Sequence, residues 1–129
     1  MAGNIGKKKI LLVDDSEIQP ETEEQMLKNE YEITTARTGK EALEHFTRGL
    51  VPNLIILDLF MPGMDGWETF GRIKAISLLH EVPIIFLSSK NEKSIIDRAN
   101  TMGAAGFITK PYDVLDLLDR IEKVLEIQQ

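Results

Sequence analysis

The chain has 129 residues, 15 basic against 21 acidic side chains, a net charge of −6 and a pI of about 4.9. That is enough chain for one domain around a single core, and the acidic balance argues against a nucleic-acid or anionic-membrane surface. Cysteine is absent, which excludes disulfides, thiol nucleophiles and thiolate zinc sites and fits a cytoplasmic setting; no signal peptide is visible, and no apolar run approaches the roughly 20 residues of a membrane span.

Residues 1–7 read as a flexible leader ahead of one domain at 8–127, with Lys7, Lys8 and Lys9 a solvated strand entrance rather than a binding patch. Ile10-Leu11-Leu12-Val13 is the first buried strand and ends in Asp14-Asp15-Ser16. A helix is expected over Glu17–Glu30, with Pro20 tolerable only near its first turn. Its apolar face is thin (Ile18, Met26, Leu27), and Glu21, Glu23 and Glu24 lie toward the end where the macrodipole favours acids. Tyr31–Ala36 is β-rich and reads as a strand. Thr38 stands three residues before Glu41 in capping-box spacing and opens a second helix. Ala42, Leu43 and Phe46 are its buried stripe, and Gly49 ends it.

The next run, Leu54-Ile55-Ile56-Leu57, is unbroken aliphatic and short, the pattern of a strand buried on both faces. Asp58 follows it, and Met61-Pro62-Gly63 and Asp65-Gly66 then break the chain. A third helix is expected to about Ile76, burying Trp67, Phe70 and Ile73. Val82–Leu87 is a fourth strand, closed by Ser88-Ser89. A helix over Asn91–Met102 carries Ile95, Ile96, Ala99 and Met102 on one face and stops at Gly103. Ala105–Ile108 is a short last strand before Thr109-Lys110-Pro111. The final helix has the clearest period, with Val114, Leu117, Leu118, Ile121, Val124 and Leu125 in one stripe. Five alternations of strand and helix imply a doubly wound parallel α/β domain.

Strands of a parallel sheet share a carboxyl edge, where ligands and chemistry are found in such folds. The residues delivered there are Asp14, Asp15, Asp58, Ser88 and Lys110. Three neighbouring carboxylates are driven to take up a proton unless a cation joins them. Oxygen ligands without His or Cys point to a hard divalent ion, Mg2+ first. The set suits phosphoryl transfer onto a carboxylate: Asp58 as nucleophile, Mg2+ and Lys110 as charge clamps, the Ser88 hydroxyl as a donor to the incoming group. Each residue also has a bland role. Asp14-Asp15-Ser16 can cap a helix, Ser88 can cap another, Lys110 can be solvated and Phe107 can be a core aromatic. Taken together, the bland roles do not explain why acids, hydroxyl and lysine close four different strands.

On these residues the chain resembles the receiver domains of two-component response regulators, and among them the chemotaxis regulators. The resemblance runs from about Lys8 to Leu125 and rests on Asp14-Asp15-Ser16, Asp58 with Met61-Pro62-Gly63-Met64-Asp65-Gly66, Ser88 after Pro83–Leu87, and Lys110-Pro111. It implies a flavodoxin-like five-stranded sheet in the order 2-1-3-4-5. It also implies phosphorylation of Asp58 by a histidine kinase or phosphotransfer protein, with signal passed to a downstream effector protein or domain. By the same carry-over Asp15, Asp58 and the Phe60 carbonyl ligate Mg2+ directly and Asp14 acts through water. Ser88 and Phe107 match the hydroxyl and aromatic that move together on activation, through the surface of the fourth helix, fifth strand and fifth helix. A cis Lys110–Pro111 bond is implied as well. Phe60 stands where many receivers carry a polar residue, Lys90 where an acid or amide is frequent, and Ser89 where alanine is usual.

Three rivals remain. An aspartyl-nucleophile phosphatase generally needs a second Asp two residues after the first as general acid, and that position is Phe60. A flavodoxin-like FMN protein needs a phosphate-binding loop after the first strand, where Asp14 and Asp15 would repel the ligand. A non-phosphorylated adaptor needs nothing of the edge at all. His45 and His80 have no partner at the motif edge and read as ordinary surface histidines. The receiver reading is of a phosphoryl acceptor, not an enzyme acting on a separate substrate.

Overall fold

The computed structural model describes residues 6–16 and 21–127. Its five strands are β1 (Lys9–Val13), β2 (Glu32–Ala36), β3 (Leu54–Asp58), β4 (Ile84–Ser88) and β5 (Gly106–Thr109). All are parallel, in the order β2-β1-β3-β4-β5. The helices are α1 (Glu21–Glu30), α2 (Gly39–Thr47), α3 (Gly66–Lys74), α4 (Lys93–Met102) and α5 (Val114–Ile127). The doubly wound parallel class read from the alternation of elements, and the flavodoxin-like order implied by the resemblance, are the ones observed.

Alternation along each central strand splits the core into two layers, because successive side chains point to opposite faces. Leu11, Val13, Ile55, Leu57, Ile84 and Phe86 pack with Ala42, Phe70, Ile73 and Ala99 from α2, α3 and α4. Ile10, Leu12, Leu54, Ile56, Ile85 and Leu87 pack with Leu27 of α1 and with Leu117, Ile121, Val124 and Leu125 of α5. Each such side chain contributes roughly 1.5–3 kcal/mol when fully buried. Burial on both faces is why the strands read as continuous aliphatic runs.

Several boundaries shift. Asp58 and Ser88 end their strands as expected, but β4 begins at Ile84 rather than Val82, and β5 runs over Gly106–Thr109 rather than Ala105–Ile108. The third helix stops at Lys74 instead of Ile76, and a single 3-10 turn over Ser77–Leu79 follows. There the Lys74 ammonium donates to the carbonyls of His80 and Val82, at 3.1 and 2.5 Å, turning the chain into β4. The fourth helix begins at Lys93, not Asn91. The expected helix start at Glu17, with Pro20, lies outside the described residues, as does most of the 1–7 leader.

Register places the edge. Val13 pairs with Leu57, Asp58 with Leu87, and Ser88 with Thr109. One residue beyond these pairs, the chain must deliver Asp14 and Lys110 to the level of Asp58.

Candidate functional site

Asp58 closes β3 and is only 3% exposed. Its Oδ1 accepts the Phe60 backbone N–H at 3.2 Å, and its Oδ2 accepts from the Lys110 ammonium at 3.0 Å. The same ammonium reaches Asp14 Oδ1 at 2.9 Å, so one lysine bridges two strands' acids. Asp14 Oδ1 is further held by the Ser16 hydroxyl at 2.8 Å and the Ser16 N–H at 3.1 Å. Asp15 completes the group, and one carboxylate oxygen from each of Asp14, Asp15 and Asp58 lies within 4.8 Å of the others. The Lys110–Pro111 peptide bond is cis, as the resemblance implied.

The turn after β3 is shaped by close packing. The Gly66 N–H donates to the Leu59 carbonyl at 2.8 Å. A Cβ at Gly66 would collide with the Asp58 carbonyl oxygen and the Leu59 Cα. Only glycine lets the start of α3 press against the end of β3 in this way. Asp65 caps α3 by accepting the Glu68 N–H at 2.9 Å, and the Thr69 hydroxyl donates to the Asp65 carbonyl at 2.7 Å. These bonds fix the loop that carries Phe60.

Charge at the edge is not balanced by the protein. Burial pushes the Asp58 carboxyl up to about 6; the Asp14 charge adds to this, and the Lys110 and Phe60 donors oppose it. Burial also pushes Asp14 upward, but its bonds from Lys110 and Ser16 together outweigh that and hold it below the usual carboxylate value. For Lys110 burial works downward, and the two carboxylates overcome it and raise the ammonium. Two of the three acids, Asp14 and Asp58, share one half-buried cation, and the donor atoms of all three are oxygens. Such a set fits a small hard divalent ion, which would relieve the excess negative charge that a single lysine leaves.

Ser88 is fully buried, and its hydroxyl is not on Asp58. It donates to the Lys90 carbonyl at 2.6 Å and accepts the Lys90 N–H at 2.9 Å, a two-way clasp. Phe107 is half-buried against the core layer of α2, α3 and α4. The Lys90 ammonium sits 5.1 Å from the centre of the Phe60 ring. The motifs themselves do not pair these two side chains; their equal offset from the adjacent ends of β3 and β4 is the signal that they meet. Arg37 belongs to no motif and was missed: its guanidinium donates to the Asp15 carbonyl at 3.2 Å from the end of β2. His45 and His80 instead meet the backbone carbonyls of Thr35 and Lys74, away from the acids.

The family model for the response regulator receiver domain matches residues 10–122. The chain is 40% identical over 118 residues to the two-component response regulator ORR6 of Oryza sativa subsp. japonica, covering 87% of this chain and 69% of that protein. It is 37% identical over 120 residues to the two-component response regulator ARR17 of Arabidopsis thaliana, covering 84% and 78%. Among solved structures, the chemotaxis protein CheY4 of Vibrio cholerae matches with a TM-score of 0.79 at 29% identity, over 92% of this chain and 99% of that one. Fold, motif order and matched span agree, and the chain belongs to the response regulator receiver domain family.

Proposed function

We propose that the domain at 8–127 accepts a phosphoryl group on Asp58 from a phosphohistidine of a histidine kinase or phosphotransfer protein. The observation that carries this is the buried Asp58 carboxylate, which shares the Lys110 ammonium with Asp14 and lies within reach of Asp15. Response regulators signal with such kinases or phosphotransfer proteins and with effectors, and their receiver domains generally bind Mg2+.

In this reading an Asp58 oxygen attacks phosphorus, the phosphorus–nitrogen bond of the donor breaks, and the imidazole leaves with the electron pair and is protonated. Lys110 holds the carboxylate in place and then faces the new negative charge. Asp15, Asp58 and the Phe60 carbonyl would hold Mg2+, with Asp14 acting through water, and the bound ion would supply positive charge to the phosphoryl oxygens. Ser88 leaves its clasp with Lys90 to donate to a phosphoryl oxygen, and Phe107 turns inward as it does so. The output is a changed α4–β5–α5 surface read by a downstream effector protein or domain. The protein is a phosphoryl acceptor that later loses the group to water, not an enzyme with a separate substrate. A cytoplasmic setting, without direct nucleic-acid or membrane contact, suits this role; among the described residues no helix is long and apolar enough to cross a membrane.

The test is intact-mass measurement after incubation with acetyl phosphate and Mg2+. One phosphoryl adduct, absent in Asp58→Asn and in EDTA, is expected. Undiminished labelling in EDTA, an adduct surviving in Asp58→Asn, or steady turnover of phosphate esters would overturn it, the last in favour of a phosphatase.

A further inference from the structure

We propose that Lys90 is a second phosphoryl-binding cation of this site, stored on the Phe60 ring and drawn off it when Asp58 carries a phosphoryl group. The inference rests on the phosphoacceptor reading of Asp58. Three exposed lysines on helices pair with acids one helical turn away, Lys28 with Glu24, Lys93 with Asp97 and Lys123 with Asp119. Among the described residues Lys90 has no acid partner and lies over an aromatic face instead, although its backbone is bonded to Ser88, at the sheet edge where the three carboxylates gather.

Both ends of this contact are tied to the site. Phe60 is 37% exposed, and its backbone N–H is bonded to the Asp58 carboxylate, so the ring belongs to a residue tied directly to the reacting group. The backbone of Lys90 clasps the Ser88 hydroxyl in both directions, so its side chain springs from the turn at the end of β4. An ammonium left free at this position could fold onto Asp58 or Asp14 and neutralise the acids before a metal or phosphoryl group arrived. The ring offers it an uncharged resting place.

The contact is weak enough to release. A cation over an exposed aromatic ring is held by a factor of about two to five. A charge-assisted bond to a phosphoryl oxygen is stronger, because it joins full opposite charges at hydrogen-bond distance. The phosphoryl group therefore wins the ammonium, and the holding factor of the ring is subtracted from its affinity. Replacing the ring should tighten phosphoryl binding, while replacing the lysine should weaken it.

The experiment is titration with beryllofluoride, a phosphoryl mimic, in saturating Mg2+, on the wild type, Phe60→Leu, Lys90→Met, Lys90→Arg and the Phe60→Leu/Lys90→Met double variant. Phe60→Leu keeps the backbone carbonyl and N–H, and both side chains are exposed, so folding is not at stake; melting temperatures check this. Phe60→Leu should bind about two- to fivefold tighter. Lys90→Met should bind at least fivefold weaker, Lys90→Arg should restore most of the loss, and Phe60→Leu should add nothing once Lys90 is gone. A gain from Phe60→Leu that persists without Lys90, no gain at all, or wild-type affinity in Lys90→Met overturns the inference while leaving the phosphoacceptor reading standing. Absence of beryllofluoride binding by the wild type overturns both.

Discussion

At the scale of single residues, the buried Asp58 ties stability to pH with a definite sign. Its folded carboxyl is raised from 3.8 to about 6, so between those values the folded state holds a proton the unfolded chain has lost. The stability it contributes is full below about pH 4 and is lost as pH rises through about 6. Asp14 acts oppositely: its lowered carboxyl contributes stability above its ordinary range that is lost on acidification. At pH 7 without metal, Asp58→Asn should therefore stabilise the protein by about 1–3 kcal/mol, since each tenfold change in proton affinity is worth about 1.4 kcal/mol; urea unfolding measures it. Mg2+ should raise the wild-type midpoint, progressively less below pH 6 as protons compete for Asp58, and should do little for Asp58→Asn. An Asp58→Asn variant less stable than wild type at pH 7 would contradict this charge account. In the proposed phosphoacceptor reading, the lifetime of the aspartyl phosphate depends on side chains beside Asp58. Water must approach phosphorus opposite the Asp58 oxygen; Phe60 and Lys90, which touch each other, are the side chains expected to overlook that approach, one unable to hydrogen-bond a water and the other able to take its place on the phosphoryl oxygens. A tenfold change in rate needs only about 1.4 kcal/mol of barrier. Phe60→Asn and Lys90→Glu should each shorten the lifetime, and together shorten it further; equal decay of labelled wild type and single variants would leave the idea unsupported.

At the scale of elements, the junction of β3 and α3 is where packing leaves least room. Gly66→Ala forces a Cβ into the Asp58 carbonyl and Leu59 backbone, and neither can yield without moving the acid. The variant should lose about 2–4 kcal/mol of stability, in the range of overpacking and backbone strain, and its Mg2+ affinity should fall with it; Gly71→Ala, on the same helix and with open space around it, is the control. What the sequence made legible follows from the same physics. Strands β1, β3 and β4 were plain because burial on both faces leaves unbroken aliphatic runs, and α5 was plain because one buried stripe at helical spacing runs its whole length. The motif residues reached one edge because parallel register leaves no alternative. The end of α3 was overestimated because Lys74 is recruited by carbonyls up to eight residues ahead, a contact without local signature. The Ser88 clasp depends on a side-chain rotamer and the turn at Lys90, which one-dimensional spacing does not encode, whereas the Lys90–Phe60 contact follows from their equal offset beyond two adjacent strands.

For the whole molecule, the question is which surface hears a change at Asp58. Helix α5 is anchored by Val114, Leu117, Ile121, Val124 and Leu125, all buried. Helix α4 fully buries only Ala99, has no side-chain bond at its N-cap Glu92, and starts three residues after the Lys90 that holds Ser88. Its guanidinium at Arg98 lies 4.2 Å from the centre of the Trp67 ring, and Trp67 in turn meets Phe86 edge-on at 5.3 Å. A lightly anchored helix beside the clasp is the element a single new charge can displace, since few packed contacts must be broken. Trp67 is the sole tryptophan of the chain, so its emission reports on that seam. Beryllofluoride with Mg2+ should change Trp67 fluorescence and raise amide exchange in α4 and β5, leaving α2 unaltered. Ser88→Ala should still bind the mimic, more weakly, yet lose most of the response at Trp67 and α4. An exchange response confined to α2, or a full Trp67 response in Ser88→Ala, would show that the signal leaves the site by another route.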